Sequence, residues 1–325
     1  MKSKVLVTGA GGFIGGHLVA RLVALGFQVR AVDIKQFDNW YQVHSACENL
    51  VQDCTLKENC FAITKDVDYV YNLAADMGGM GFIEHNKLEC MLSVLINTHL
   101  LMGAQKNGVK RYFYSSSACV YPDYRQKEAQ VTALKESDAY PAMPEDGYGW
   151  EKLFSERLCR HYMEDTGLDV RIARFHNVYG PYGTFEGGRE KAPAAICRKV
   201  VEAIQNKSLE IEIWGDGEQT RSFMYIDDCV EGIERIMNSS FAQPLNLGSD
   251  ELVTINQLVS IVEEIANIKL KRRYNLSAPK GVRGRNSDNA LIKSVLNWAP
   301  STTLYNGMKK TYEWIYQEMT QHACL

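Results

Sequence analysis

A chain of 325 residues, 46% apolar and 23% charged, holds enough apolar material for one large hydrophobic core or two modest ones. Its 36 basic and 39 acidic side chains leave a formal net charge of −3. That balance gives no general footprint for nucleic acid, so any anionic ligand has to be met by local cations.

The first residues, up to Gly26, combine a basic start with an apolar run, the outline of a secretory signal. Inside that run, however, Lys4 to Thr8 is a β-branched strand pattern followed by Gly9-Ala10-Gly11-Gly12-Phe13-Ile14-Gly15 and an apolar helical pattern to Leu25. The segment therefore reads as strand, glycine turn and helix. Gly26 stops the helix, and Gln28 to Asp33 is a second strand ending in an acid. Further strand patterns run over Tyr69 to Leu73, Arg111 to Ser115 and Val170 to Arg174, with helical patterns between them. Such alternation predicts an α/β fold with a doubly wound, parallel Rossmann sheet. After about Phe175 the loops lengthen, Gly and Arg concentrate, and the strand pattern Glu210 to Trp214 meets a Gly215-Asp216-Gly217 turn. Residues 1–175 are expected to bind the cofactor; 176–325 are expected to form mainly a smaller interleaved substrate domain, with some segments returning to the first. No stretch reaches the roughly 20 apolar residues of a membrane span. Nine cysteines with no Cys-x-x-Cys pair point to reduced thiols and a cytoplasmic setting, without a metal-ligand pattern.

The spacing Gly9-x-x-Gly12-x-x-Gly15 lets the backbone turn tightly and approach a pyrophosphate, with N–H groups at the helix start around Phe13 and Ile14 aimed at it. Asp33, ending the second strand, is placed to accept hydrogen bonds from ribose hydroxyls and to repel a 2′-phosphate, which predicts NAD rather than NADP. Lys35 is the nearby cation able to relieve that repulsion. Asp53 is a second candidate, reaching toward the adenine.

Tyr148-Gly149-Trp150-Glu151-Lys152 sets a phenol and an ammonium one helical turn apart on one face. A tyrosine titrates near 10, so an adjacent cation is needed for its phenolate to take a hydroxyl proton at neutral pH. With Ser117 upstream and the glycine fingerprint, the chain resembles the extended short-chain dehydrogenase/reductase family from about Lys4 to Trp298. The resemblance implies that Ser117, Tyr148 and Lys152 are its catalytic triad, that Lys152 also holds the nicotinamide ribose, and that a nucleotide sugar binds between the domains of a homodimer. Trp214 to Phe223 resembles the family segment that carries a phosphate-binding Arg, here Arg221, preceded by Gln219. Within the family, four segments resemble the GDP-mannose 3,5-epimerases: Ala74 to Gly81, Ser116 to Pro122, Gly188 to Pro193, and Gly281 to Asp288.

Inverting an unactivated sugar carbon requires first making its hydrogen acidic. Oxidation at C4 does this for C3 and C5, after which a base on one face and an acid on the other complete each inversion. Cysteine suits the base and a tuned lysine the acid; by the resemblance these are Cys119 and Lys191. The resemblance further implies that Gly78, Gly79, Ala118, Asn177, Glu190 and Gln219 meet the sugar nucleotide. Arg221 and Arg283 are candidates for bidentate grip of the pyrophosphate. A GDP-fucose synthase shares Ser117 to Pro122 and a catalytic cysteine, but it uses a histidine where Lys191 stands, and it uses NADPH. A 4-epimerase has no need of Cys119, and a 4,6-dehydratase wants Asp-Glu directly after Ser117. A non-catalytic nucleotide-binding protein on the same scaffold need not keep the Tyr148/Lys152 pair.

Overall fold

The computed structural model describes residues 3–279 and 281–321. Along the first half come β1 (Lys4–Thr8), α1 (Phe13–Ala24), β2 (Gln28–Asp33), β3 (Glu48–Val51), α2 (Lys57–Ile63) and β4 (Tyr69–Asn72). They are followed by α3 (Met80–His85), α4 (Lys87–Lys106), β5 (Arg111–Ser117), α5 (Asp146–Thr166) and β6 (Asp169–Phe175). The second half contributes β7 (Val178–Tyr179), α6 (Ala192–Gln205), β8 (Glu210–Trp214), β9 (Thr220–Ser222), β10 (Met224–Tyr225) and α7 (Ile226–Asn238). It closes with β11 (Leu245–Leu247), β12 (Leu252–Thr254), α8 (Ile255–Ile265), β13 (Lys271–Asn275), β14 (Gly284–Arg285), α9 (Ala290–Leu296) and α10 (Leu304–Gln321).

Seven strands form one sheet in the order β11-β6-β5-β4-β1-β2-β3, every pairing parallel. Parallel strands are buried on both faces, and the side-chain period of two divides them cleanly. Val5, Val7 and Phe113 pack on one face with α1 and α7, while Leu6, Tyr112 and Tyr114 pack on the other with α2, α4 and α5. The first of these clusters continues without a break into Ile211, Val259 and Ile315 of the second half. β11 likewise brings the second half back to the sheet, pairing Leu245 with Ala173.

Two strands escape a pattern reading. β3 is a half-buried edge strand with one acidic and one amide residue in four, and β11 has only three residues, so its place comes from pairing with β6. The remaining short strands form two- and three-stranded pieces; β14 and β12 flank β9, setting Arg285 beside Arg221.

Candidate active site

The strand order reverses between β1 and β4, the switch point at which open α/β sheets bind ligands beyond the strand C-termini. The glycine turn follows β1 there. A Cβ on Gly15 would lie 2.0 Å from the Gly9 carbonyl oxygen, so this helix-to-turn approach admits only glycine. α1 has Gly12 as its N-cap and no side-chain cap, which leaves its first N–H groups open to an anion. The Asp33 carboxylate is buried and accepts the N–H of Gly11 at 3.0 Å and that of Lys35 at 3.0 Å. Each oxygen keeps a lone pair for a ribose hydroxyl. Lys35 donates its ammonium to the Gly11 carbonyl at 2.7 Å, which ties it to the turn. These groups fit a dinucleotide. Asp53 has one carboxylate oxygen engaged locally, accepting the Thr55 N–H at 2.8 Å and the Thr55 hydroxyl at 2.7 Å in an Asx turn ahead of α2.

The loops after β4 and β5 and the start of α5 meet next to that turn. Tyr148 and Lys152, both buried, sit one turn apart on α5. The Lys152 ammonium lies 4.9 Å from the Tyr114 ring centre and 5.5 Å from that of Tyr148, and 3.7 Å from Glu151 Oε2. Burial pushes the Tyr148 phenol well up, the nearby Cys119 and Glu151 add to the rise, and a hydrogen bond with Ser117 opposes it. Ser117 Oγ also accepts the backbone N–H of Cys119 at 3.2 Å, which seats the turn carrying Ala118 and Cys119. Ile83, Cys90, Cys119 and Tyr148 form one buried cluster, so thiol and phenol share a pocket wall.

Burial pushes the Cys119 thiol up to about 11, with the Glu145 charge adding to the rise and Arg285 opposing it. Arg285 was not singled out from the sequence. It is buried, with Nη1 3.7 Å from Cys119 Sγ, Nε donating to Gln126 Oε1 at 2.6 Å and the other arm paired with Glu145. Lys191 caps α6, with Pro193 in the first turn, and its ammonium makes no ion pair among the described residues. Burial lowers its pKa, and the Cys119 charge acts in the opposite sense.

Two of the expected substrate contacts keep a buried oxygen with no partner among the described residues. Glu190 gives one oxygen to Arg198 at 3.3 Å and leaves Oε2 buried without a partner; Gln219 donates to the Trp214 carbonyl at 2.7 Å and leaves Oε1 likewise. Buried groups of this kind call for a ligand or water. Asn177 takes a positive φ of 44° just after β6 and donates to the Ser222 carbonyl at 2.9 Å. Arg221 donates to the carbonyls of Thr220 at 2.7 Å and Val282 at 2.5 Å, and burial, then the Arg285 charge, lowers it to about 10. The two expected pyrophosphate arginines therefore differ: Arg221 lies beside the buried Arg285, whereas Arg283 is half-exposed and paired with Asp216 at 2.7 Å. Gly78 and Gly79 lie in the loop after β4, pressed against Phe82 and Glu190.

Residues 5–248 match the family described as the NAD dependent epimerase/dehydratase family. Over 98% of its length the chain is 48% identical to GDP-mannose 3,5-epimerase 1 of Oryza sativa subsp. indica, 83% of which is covered. Among solved structures it is similar to a UDP-glucose 4-epimerase from Thermotoga maritima with UDP-glucose, at a TM-score of 0.87 and 25% identity over 97% of this chain and 99% of that one. It is also similar to a UDP-glucuronic acid 4-epimerase from Bacillus cereus in complex with UDP-glucuronic acid and NAD, at a TM-score of 0.82 and 26% identity over 97% and 99% of the two chains.

Proposed function

The chain belongs to the NAD dependent epimerase/dehydratase family, and we propose that it epimerises GDP-mannose at C3 and C5 to GDP-L-galactose, with GDP-L-gulose as the C5 epimer. It is an NAD-dependent nucleotide-sugar epimerase. The observation that carries the 3,5-specific reading is the buried Cys119 thiol, 3.7 Å from Arg285 Nη1 and clustered with Tyr148.

The Gly9 to Gly15 turn, Asp33 and Lys152 would hold NAD, which when bound would supply reversible hydride acceptance from C4. Tyr148 takes the C4 hydroxyl proton, with Lys152 over its ring favouring the phenolate and Ser117 donating to it. The resulting ketone acidifies the hydrogens on C3 and C5. Cys119, as thiolate against Arg285, removes such a proton from one face, and Lys191 delivers one from the other. Burial weakens the charged form of each group singly, whereas thiolate and ammonium together stabilise one another. Arg221 binds the pyrophosphate beside Arg285, with Gln219, Glu190 and Asn177 on the sugar nucleotide.

Leu88, Met91, Leu92 and Leu95 make an exposed apolar stripe on α4, continued by Trp150 and Phe154 on the adjoining α5. This face supports a homodimer through paired α4 and α5 helices. No helix among the described residues is long and apolar enough to cross a membrane. The eight free cysteines described support a reducing, cytoplasmic setting.

Incubation with GDP-mannose in deuterated water tests the reading. Deuterium is expected on C3 and C5 of the recovered sugar and not on C4, whose hydrogen travels as hydride. Tyr148→Phe should abolish all labelling, while Cys119→Ala should keep oxidation at C4 and lose the exchange. Labelling of C5 by Tyr148→Phe would overturn this division of labour.

A further inference from the structure

The loop after β4 and the segment before α6 come from opposite halves of the chain, yet a single side chain fastens them. Arg189 Nη1 pairs with Asp76 Oδ1 at 2.7 Å and reaches the Met77 carbonyl at 3.4 Å. Its guanidinium stacks 3.7 Å from the Phe82 ring centre. Its backbone carbonyl accepts the Gly79 N–H at 2.9 Å. The joint is closed to the limit at its middle: a Cβ on Gly79 would lie 2.4 Å from the Glu190 carbonyl oxygen. An exposed ion pair alone holds little, but a planar guanidinium that stacks and pairs at once is a directional fastener. Asp76 is itself fixed, its N–H donating to Ser93 Oγ of α4 at 2.9 Å.

The joint lies where it can govern the reaction. Lys191 follows Arg189 by two residues, and the Phe82 side packs on the cluster that contains Cys119 and Tyr148. We infer that Arg189 is a positioning residue, a latch that joins the 76–82 loop to the 187–190 segment, sets Lys191 opposite Cys119 and keeps the 4-keto sugar enclosed. The inference rests on the proposed epimerase reading for its second effect only. Oxidation moves a hydride from C4 to NAD and the hydroxyl proton to Tyr148, and the return step needs both. A ketone that escapes leaves one NADH and one proton on its protomer, so leakage is counted as NADH retained per ketone released.

Two readings test the latch on the full NAD-loaded protein. The first needs no turnover: iodoacetamide alkylation of Cys119, followed by peptide mass spectrometry, should be at least tenfold faster in Arg189→Ala than in the parent, with Arg189→Lys between them because it keeps the ion pair and loses the planar stack. The second traps released ketone with borodeuteride during turnover of GDP-mannose. Deuterium at C4 and the matching NADH absorbance should both rise at least tenfold in Arg189→Ala, an effect that mere loss of stability does not produce in soluble, NAD-bound protein. Should Arg189→Ala fail to fold, the same two measurements are made on Asp76→Asn, which removes the charge of the ion pair and leaves the stack on Phe82, with a smaller rise, still above twofold, expected in each. Cys119 alkylation within twofold of the parent in a folded variant overturns the latch. A parent that leaves GDP-mannose unlabelled in deuterated water overturns the proposed substrate, while the alkylation result still decides the latch.

Discussion

Arg283 and Arg285 stand two residues apart in the run Gly281-Val282-Arg283-Gly284-Arg285, and their surroundings divide their work. Arg283 is half-exposed on Asp216, which it holds down at about 2, so gripping a phosphate means leaving a carboxylate. Arg221 donates to the Thr220 and Val282 carbonyls and carries the adverse charge of Arg285, which a phosphate would relieve. Arg221→Ala is therefore expected to weaken GDP binding by about 1.5 to 3 kcal/mol, the scale of a charged hydrogen bond, and Arg283→Ala by less than 1 kcal/mol. Calorimetric titration with GDP checks both, and equal losses would refute the distinction. Arg285 acts on the thiol instead. Arg285→Met keeps the stem and removes the cation, leaving Glu145 unpaired; both changes favour the protonated thiol and push it above about 11. Since alkylation follows the thiolate fraction, which falls about tenfold for each unit of pKa rise, the Cys119 alkylation rate at pH 9 should drop by about that factor or more. Of these residues, the Tyr148/Lys152 pair was legible as a short local spacing, and Cys119 only through the family resemblance. Arg285 was not, since nothing in the run tells which arginine turns inward until β14 pairs with β9.

The elements show the same limit. β1, β2, β5 and β6 were legible as short stretches rich in β-branched, aromatic and apolar residues bounded by turn residues, and α1 by the helical spacing of its apolar residues after the glycine turn. β11, three residues long, and the paired strands β9 and β14 carry too little pattern, and their positions come from partners about 60 to 70 residues away along the chain. Lys191 is placed in this way too, at the N-cap of α6. On α4 the positions Leu88, Met91, Leu92 and Leu95 follow a helical stripe that the core leaves uncovered. A charge at its centre opposes burial there without touching the active site. Leu92→Asp combined with Phe154→Asp is expected to convert a sedimenting dimer to a monomer at micromolar protein, with the fold retained by circular dichroism. Monomeric behaviour of the parent itself at that concentration would remove the dimer from the reading.

At the scale of the whole molecule, the returning strand β11 is fastened to the first half by a buried polar joint with a built-in response to pH. His176 follows β6, is fully buried, and donates its backbone N–H to Leu247 at 3.0 Å. Its Nε2 meets Asn246 Oδ1 at 3.0 Å, an oxygen that also accepts from Tyr121, so the imidazole is the donor there. Burial depresses its pKa from 6.5 to about 3; the Asn246 bond opposes the shift, and the charges of Arg285 and Arg174 reinforce it. The folded state therefore keeps the ring neutral while the unfolded chain takes up a proton below pH 6.5. The stability tied to this neutral ring is fully present above pH 6.5 and is lost as pH falls from there toward about 3. At pH 5 the loss from this one group is about 2 kcal/mol, from the 1.36 kcal/mol that accompanies each unit. His176→Gln keeps a neutral donor toward Asn246 and cannot be protonated. Urea unfolding at pH 7.5 and pH 5 should show the parent losing about 2 kcal/mol more than this variant between the two conditions. The comparison is made within each protein, so any constant cost of the glutamine cancels. Equal losses in the two proteins would mean that the joint between β6 and β11 is insensitive to the charge of His176, and that acid unfolding starts elsewhere.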